Sequence, residues 1–256
     1  MNKTYRTDEI ARFYGGHRLR WEEFYPSERT VFEQVAARFG PPRSVLDAGC
    51  AAGGLGLALQ ERFSTLDRYV GVDVNPQAIS VAQGRARPWQ TFICADVGTT
   101  PSGSARFQWV VSLSCVDWNL APIETIRSLW ACVAPGGLLI LSLRLTDGAG
   151  TTDPAVSRQR IVFEGDDPGA EVANYVVFNV HEAIGLLAGL GPDMLVGYGY
   201  WGPPSRTAVT PYERLAFTVF AAHRSADARE ENVRLELGVP SDLLTGRGDE
   251  RRGASV

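Results

Sequence analysis

The chain has 256 residues, of which 45% are hydrophobic and 21% charged, a composition typical of one globular domain with modest additions. The net charge of −4 excludes the net positive charge that is typical of a nucleic-acid-binding protein. The longest apolar stretch, residues 138–143, is too short to span a bilayer, and residues 1–16 lack the apolar core of a secretory signal.

The four cysteines are widely spaced and form no CxxC pair, and no histidines cluster beside them. This pattern argues against a structural zinc site and against a disulfide framework. No group of carboxylates and histidines has metal-ligand spacing either, so we expect no bound metal. We expect a cytoplasmic protein with free thiols that binds neither nucleic acid nor a membrane.

Aromatic and arginine residues crowd the first 26 positions, and a helix pattern follows, with Ser27 as its expected cap. Gly40, followed by two prolines, ends that pattern. We therefore predict that residues 1–40 form a helical cap or lid.

Strands and helices alternate from residue 41 onward, which predicts a parallel sheet with helices on both faces. The apolar runs that predict strands are 44–48, 69–73, 91–95, 107–113, 137–143, 194–200 and 215–222. The helical patterns lie at 54–63, 76–86 and 121–133.

Three further segments complete the predicted organisation. Residues 147–178 are rich in Gly, Asp, Thr and Pro and predict a long inserted loop within a domain that spans 41–223. Asn179, with Glu182 three residues later, is typical of a helix start. Residues 224–256 form a polar tail, within which 233–239 alternate and predict an added edge strand or a homodimer contact.

A glycine-rich turn, Val45-Leu-Asp-Ala-Gly-Cys-Ala-Ala-Gly-Gly, leads from the first strand into a helix. Glycines let such a turn bend sharply and approach a ligand, and the helix start offers free amide donors. Asp73 and Asp96 end the next two strands. Because ligands of open parallel sheets bind beyond the carboxyl ends of the strands, we expect the acids to converge on one crevice there.

Nicotinamide-binding domains share a glycine turn and a later acid, so an oxidoreductase that uses NAD(P) is an alternative. Two details count against it. Ala51 stands where the second glycine of the GxGxxG pattern belongs, and Asp47 precedes the first glycine. A carboxylate there would meet a cationic ligand favourably but would repel a pyrophosphate.

The turn, together with Gly71-Val-Asp-Val-Asn, Cys94-Ala-Asp-Val and Val133-Ala-Pro-Gly-Gly, resembles the class I methyltransferases over about residues 43–222. The resemblance implies a three-layer α/β sandwich, whose seven-stranded, mostly parallel sheet has an antiparallel last strand. It also implies S-adenosylmethionine as cofactor. The positions expected to bind it are Asp47, Gly49, Cys50, Ala51, Gly53, Asp73, Val74, Asp96, Val97 and Ser114.

The fourth strand leads into Ser-Leu-Ser-Cys-Val-Asp-Trp, which lacks the Asn/Asp-Pro-Pro-aromatic stretch usual in methylases of nucleic acid bases. Residues 114–118, including Asp117, should line the acceptor side instead. The substrate-binding candidates are Trp21, Cys115, Trp118, Arg144, Tyr200 and Trp201.

His17 and Tyr14, in the aromatic N-terminal segment, are the candidates for a catalytic base. A weaker resemblance links the chain to bacterial methyltransferases of carbohydrate or secondary-metabolite pathways, which implies a small-molecule acceptor methylated on oxygen or nitrogen. A non-catalytic protein that binds S-adenosylmethionine and serves a partner is the remaining alternative.

Overall fold

The computed structural model describes residues 5–98, 106–227 and 232–246. A central sheet of nine strands runs through these residues, in the order β12-β9-β11-β5-β4-β1-β2-β3, with β8 beside β5. Its strands are β1 (Ser44–Ala48), β2 (Arg68–Asp73), β3 (Gln90–Cys94), β4 (Phe107–Ser112), β5 (Val133–Thr146), β8 (Phe178–Asn179), β9 (Met194–Gly202), β11 (Leu215–His223) and β12 (Arg234–Gly238).

Strand directions in this sheet agree with the expected topology. Strands β1 to β5 pair in parallel, whereas β11 runs antiparallel to both of its neighbours, β5 and β9. The seven expected strands are all present. The prediction of seven in total is wrong, because β8 and β12 pair with β5 and β9 and extend the sheet to nine.

Helices cover both faces and make the fold a three-layer sandwich. On one face α2 (Pro26–Phe39), α3 (Gly54–Phe63) and α4 (Pro76–Gly84) pack on a core that includes Phe32, Leu59 and Trp109. On the other face α5 (Pro122–Ala131), α6 (Val180–Ala188) and α7 (Ser241–Thr245) pack on a second core. A short helix, α1 (Glu9–Gly16), precedes them and contacts α4.

Local signals explain where two of these helices end or begin. Gly40, with a φ of 85°, closes α2, and the side chain of Asn179 accepts hydrogen bonds from the amides of His181 and Glu182 to start α6. Ser27 is not the cap of α2. The helix starts one residue earlier, at Pro26, and Glu28 accepts the amide of Tyr25 at 2.8 Å.

The segment 147–178, expected to be a loop, contains short strands. Within the described part of the chain, β6 (Arg158–Arg160) pairs antiparallel with both β7 (Val172–Asn174) and β10 (Ala208–Val209). This small sheet satisfies backbone groups that a structureless loop would leave unpaired.

Part of the polar C-terminal segment is joined to the domain. Strand β12 pairs with β9 as an edge strand, and Glu236 on it binds the guanidinium of Arg38 at 2.6 Å. Leu243 in α7 is fully buried in the second core. The edge-strand alternative at 233–239 is therefore the one that the structure shows.

Among the residues described, none of the helices combines the length and the apolar character that crossing a membrane requires.

Truncating Leu243 to alanine should lower the free energy of unfolding by about 2–5 kcal/mol, because it removes buried contacts and leaves a cavity. Leu235→Ala is the matched control, since that side chain is 49% exposed and its loss should cost about 0.5 kcal/mol or less. Urea denaturation measures both. If Leu243→Ala lowered the free energy of unfolding no more than Leu235→Ala does, α7 would contribute nothing to the core.

Candidate active site

The turn between β1 and α3 has a tightly constrained backbone. Gly49 and Gly53 have φ values of 83° and 81°, in the left-handed region that favours glycine. A Cβ on Gly49 would collide with the side chain of Cys115. Ala51 also lies in this region, with a φ of 45°, at a cost of roughly 1–2 kcal/mol. Strain of this kind is common at functional sites.

Asp73, at the end of β2, fixes the strained turn. One carboxylate oxygen accepts the amide of Ala51 at 2.8 Å, and the other accepts the amide of Asn75 at 2.8 Å. The carboxylate is largely buried. Each oxygen retains a lone pair for a further donor, so the group can also bind a ligand hydroxyl.

Asp47 is a second buried carboxylate in the same crevice. Burial is the main reason that its pKa rises to about 7; the hydrogen bond from the hydroxyl of Tyr69 lowers the pKa and the charge of Asp73 raises it. Neither acid forms an ion pair with an arginine in the parts of the chain described. Two buried negative charges without a salt-bridge partner favour a ligand that carries positive charge.

These groups line a cavity of about 980 Å³, a volume that includes space open to solvent. Nine of the ten residues expected to bind the cofactor lie on its wall, and we call it the cofactor cavity. They are Asp47, Gly49, Cys50, Ala51, Asp73, Val74, Asp96, Val97 and Ser114.

Gly53 is the tenth, and its placement on this wall is wrong. It precedes α3 as the capping residue, and a Cβ there would point at the ring of Phe92. Gly54 and Leu55 line the cavity instead.

The N-terminal segment forms one wall of the cofactor cavity. The side-chain amide of Asn75 donates to the carbonyls of Tyr5 and Thr7 at 3.1 and 2.9 Å, and Glu171 accepts the amide of Thr7 at 2.7 Å. The hydroxyl of Tyr5 donates to the carbonyl of Trp118 at 3.3 Å. Neither Tyr5 nor Asn75 was among the predicted site residues, although Asn75 lies two positions after Asp73 in Gly71-Val-Asp-Val-Asn.

Arg18 continues this wall. Its backbone is left-handed, with a φ of 59°, and its carbonyl leaves no room for a Cβ on Gly54. Its guanidinium binds both oxygens of the buried Glu28, at 2.7 and 2.8 Å, and lies over the ring of Phe24. The segment therefore lies against the turn because Gly54 has no side chain.

A second cavity of about 1820 Å³ adjoins the first, and we call it the acceptor cavity. Strands β5, β9 and β11, residues 13–28 and the small sheet contribute to its wall, which carries many hydroxyl, amide and charged groups. Five residues line both cavities and mark their junction: Tyr14, His17, Arg18, Ser114 and Trp118.

Both candidate bases lie at this junction. Tyr14 is half-buried and packs edge-on against the rings of Phe13 and Phe163, which stack on each other. Burial raises its pKa to about 12, so it is a neutral hydrogen-bond donor and acceptor at pH 7. His17 is exposed, stacks on Phe13 and contacts the carbonyl of that residue through Nδ1 at 2.9 Å.

The substrate-binding candidates divide between the two cavities. Arg144 and Tyr200 line the acceptor cavity, whereas Cys115 lines the cofactor cavity. Burial raises the pKa of the Cys115 thiol well above its usual range, so it is not a thiolate nucleophile at neutral pH.

Trp21 and Trp201, the other two substrate-binding candidates, do not line either cavity. Trp21, within the N-terminal segment, is buried against Phe32 and Phe63. Trp201 follows Tyr200 on β9, so the alternation of strand side chains directs it to the opposite face. There its indole donates to Asp242 at 2.9 Å.

Polar groups of the acceptor cavity that the sequence did not reveal come from segments distant in sequence: Ser27, Glu28 and Gln159. No local pattern marks them, because only the tertiary fold brings α2 and the small sheet together. In residues 5–98, 106–227 and 232–246, no cluster of three His, Cys, Asp or Glu side chains has the arrangement to hold a metal ion.

The raised pKa of Asp47 predicts how stability varies with pH. Since the folded-state pKa lies above the ordinary value of 3.8, the group stabilises the ligand-free protein at low pH, and this contribution is lost as the pH rises towards 7. Asp47→Asn should therefore gain stability over the wild type, by about 2–3 kcal/mol more at pH 8 than at pH 5.

Urea denaturation at several pH values measures this difference. Asp67→Asn, which alters an exposed ion pair with Arg43, is the control and should show no such trend. If the free energies of unfolding of wild type and Asp47→Asn changed equally with pH, this would contradict the raised pKa of Asp47.

Comparison with known proteins supports the fold and the turn. Residues 45–137 match the family described as "Methyltransferase domain". A malonyl-[acyl-carrier protein] O-methyltransferase of Enterobacter lignolyticus is 24% identical over 140 residues, which cover 54% of each chain. The chain spans about half the length, or less, of the first curated relatives that it matches.

Two solved structures share the fold over most of the chain. The 1,6-didemethyltoxoflavin-N1-methyltransferase of Burkholderia thailandensis, solved with S-adenosylhomocysteine bound, covers 78% of this chain and 79% of its own, with 21% identity and a TM-score of 0.50. The sugar N-methyltransferase KedS8 of Streptoalloteichus covers 81% and 90%, with 16% identity and a TM-score of 0.51. With the glycine turn, the two acids and the strand order, these matches show a methyltransferase domain at residues 45–137, within a fold that is similar to the class I S-adenosylmethionine-dependent methyltransferases.

Proposed function

We propose that the protein transfers a methyl group from S-adenosylmethionine to an oxygen or nitrogen atom of a small-molecule acceptor, such as a sugar or a natural-product intermediate. The observation that carries this proposal is the junction of the two cavities at Tyr14, His17, Arg18, Ser114 and Trp118. A bound donor and a bound acceptor would meet there.

The cofactor cavity fits S-adenosylmethionine chemically. Asp73 has lone pairs left for the ribose hydroxyls, and Asp47 supplies negative charge for the cationic methionine portion. Asp96 and Val97 line the same wall, where they would flank the adenine. When bound, the sulfonium supplies an activated methyl group, so the protein contributes chiefly by positioning the acceptor.

The acceptor cavity separates this proposal from a non-catalytic role. A protein that only bound the cofactor would need no second cavity beside the first one, and here the two share five lining residues. The two structural neighbours act on a sugar and on 1,6-didemethyltoxoflavin, as their names state, so the fold accommodates small acceptors.

Calorimetric titration tests the cofactor assignment. We expect micromolar binding of S-adenosylmethionine and S-adenosylhomocysteine and no binding of NADH. Asp73→Ala should weaken both ligands about a hundredfold, because it removes the ribose contacts and frees the turn. Asp193→Ala, far from either cavity, is the control. Unchanged affinity in Asp73→Ala, or preferential binding of NADH, would overturn the assignment.

A screen for release of S-adenosylhomocysteine from S-adenosylmethionine, with sugars, amino sugars, phenols and heterocyclic amines, tests the reaction itself. With any acceptor found, Tyr14→Phe should lower kcat at least tenfold and leave the affinity for S-adenosylhomocysteine within twofold, because only the hydroxyl at the junction is lost. His17→Gln is the parallel variant. A normal kcat in both would remove these residues from the chemistry.

A further inference from the structure

Asp117 occupies a distinctive place in the acceptor cavity. It lies in the short helical turn Val116–Trp118 after β4, beside Trp118, which lines both cavities. Asp117 itself lines the acceptor cavity alone and is 3% exposed. The carboxylate of Asp117 thus belongs to the residue that immediately precedes a junction residue in the sequence.

Arg144 fixes the position of this carboxylate. Its Nη2 lies 3.1 Å from Oδ2 of Asp117, and its Nη1 donates to the carbonyls of Asp117 and Val176 at 3.2 and 3.4 Å. The guanidinium also lies 3.7 Å from the centre of the Tyr175 ring. An arginine held by this many contacts cannot turn away from Asp117 to meet a ligand.

The other carboxylate oxygen, Oδ1, is buried and accepts no hydrogen bond from the residues that the structure describes. A buried carboxylate oxygen without a donor is costly, and most such atoms in proteins have a partner. The cavity that Asp117 lines is where a ligand can bring the missing donor.

The charges of the acceptor cavity also favour a ligand that brings a hydrogen-bond donor over one that brings a carboxylate. Its two buried arginines are already neutralised, Arg18 by Glu28 at 2.7 Å and Arg144 by Asp117 at 3.1 Å. Arg206, the third, is exposed and donates to the carbonyl of Gly165. Among the residues that the structure describes, an acceptor carboxylate near the junction would therefore meet two carboxylates and no unpaired buried cation.

We propose that Asp117 selects acceptors whose methyl-accepting atom bears a hydrogen, an amine nitrogen or a hydroxyl oxygen, and discriminates against carboxylates. This inference rests on the proposed function. The N–H or O–H donates to Oδ1 and transfers its proton there, while the lone pair of that atom forms the bond to the methyl carbon. The electron pair of the broken C–S bond remains on sulfur.

The test uses matched ligands and protein saturated with S-adenosylhomocysteine. One series is methyl 6-amino-6-deoxyglucoside, methyl glucoside and methyl glucuronoside; the other is 2-phenylethylamine, 2-phenylethanol and 3-phenylpropanoate. Saturation-transfer NMR and titration calorimetry give the affinities. We expect the amine or the alcohol of at least one series to bind at least tenfold more tightly than its carboxylate. Carboxylate preference, equal affinities or no binding in either series would overturn the proposal.

Asp117→Asn then tests the residue itself. It should weaken the amine or alcohol at least tenfold and remove the discrimination against the carboxylate, with S-adenosylhomocysteine affinity unchanged. Asp193→Asn, which alters a carboxylate bonded to His223 outside both cavities, is the matched control. Retained discrimination in Asp117→Asn overturns the role of Asp117.

The wild-type comparison of ligands stands even where Asp117→Asn fails to fold. The prior titration with S-adenosylhomocysteine separates the two hypotheses. Failure of that titration rejects the proposed function, whereas its success with carboxylate preference rejects only the selective role of Asp117.

Discussion

The carboxylate of Asp73 accepts hydrogen bonds from two backbone amides that belong to different parts of the crevice, Ala51 in the turn after β1 and Asn75 before α4. The first bond holds a strained turn in the shape that a ligand requires. The second orients Asn75, whose side chain holds the backbone of Tyr5 and Thr7. Through one side chain, the end of β2 thus positions both the turn and the N-terminal wall of the cofactor cavity.

The two cavities differ in whether their buried carboxylates have salt-bridge partners. In the cofactor cavity, Asp47 and Asp73 are buried without a salt bridge in the described chain, and burial raises the pKa of each carboxyl group. Such an arrangement destabilises the empty site and favours a cationic ligand. In the acceptor cavity, each buried carboxylate has an arginine partner. Charge is therefore balanced within the protein there, and hydrogen bonding is left to distinguish one acceptor from another.

The sequence was most informative where local chemistry determines the structure. Short apolar runs that alternate with helical patterns predicted the strands, and the resemblance carried by the turn and the acids implied nine of the residues that line the cofactor cavity. Gly53 was misplaced because a glycine pattern does not reveal which members face a ligand and which face a neighbouring helix or ring.

The acceptor side was harder to predict, because its residues come from distant segments. Trp201 was assigned to it because the loop starting at this residue was expected at the same edge of the sheet as the cofactor. Its position next to Tyr200 on one strand directs its side chain to the other face. The aromatic N-terminal segment likewise predicted a cap or lid. It did not reveal that its own Trp21 would be buried against Phe32 and Phe63. The strands within 147–178 depend on pairing with β10, which no local pattern contains.

The N-terminal wall is held by bonds to residues far along the chain, with separations of 164 positions to Glu171 and 113 to Trp118. Contacts of such long range require distant parts of the chain to be brought together before they can form. We expect the sheet and the glycine turn to assemble first and residues 5–25 to close over them last. Local opening of the same segment, with the sheet intact, would give ligands a route in and out without global unfolding.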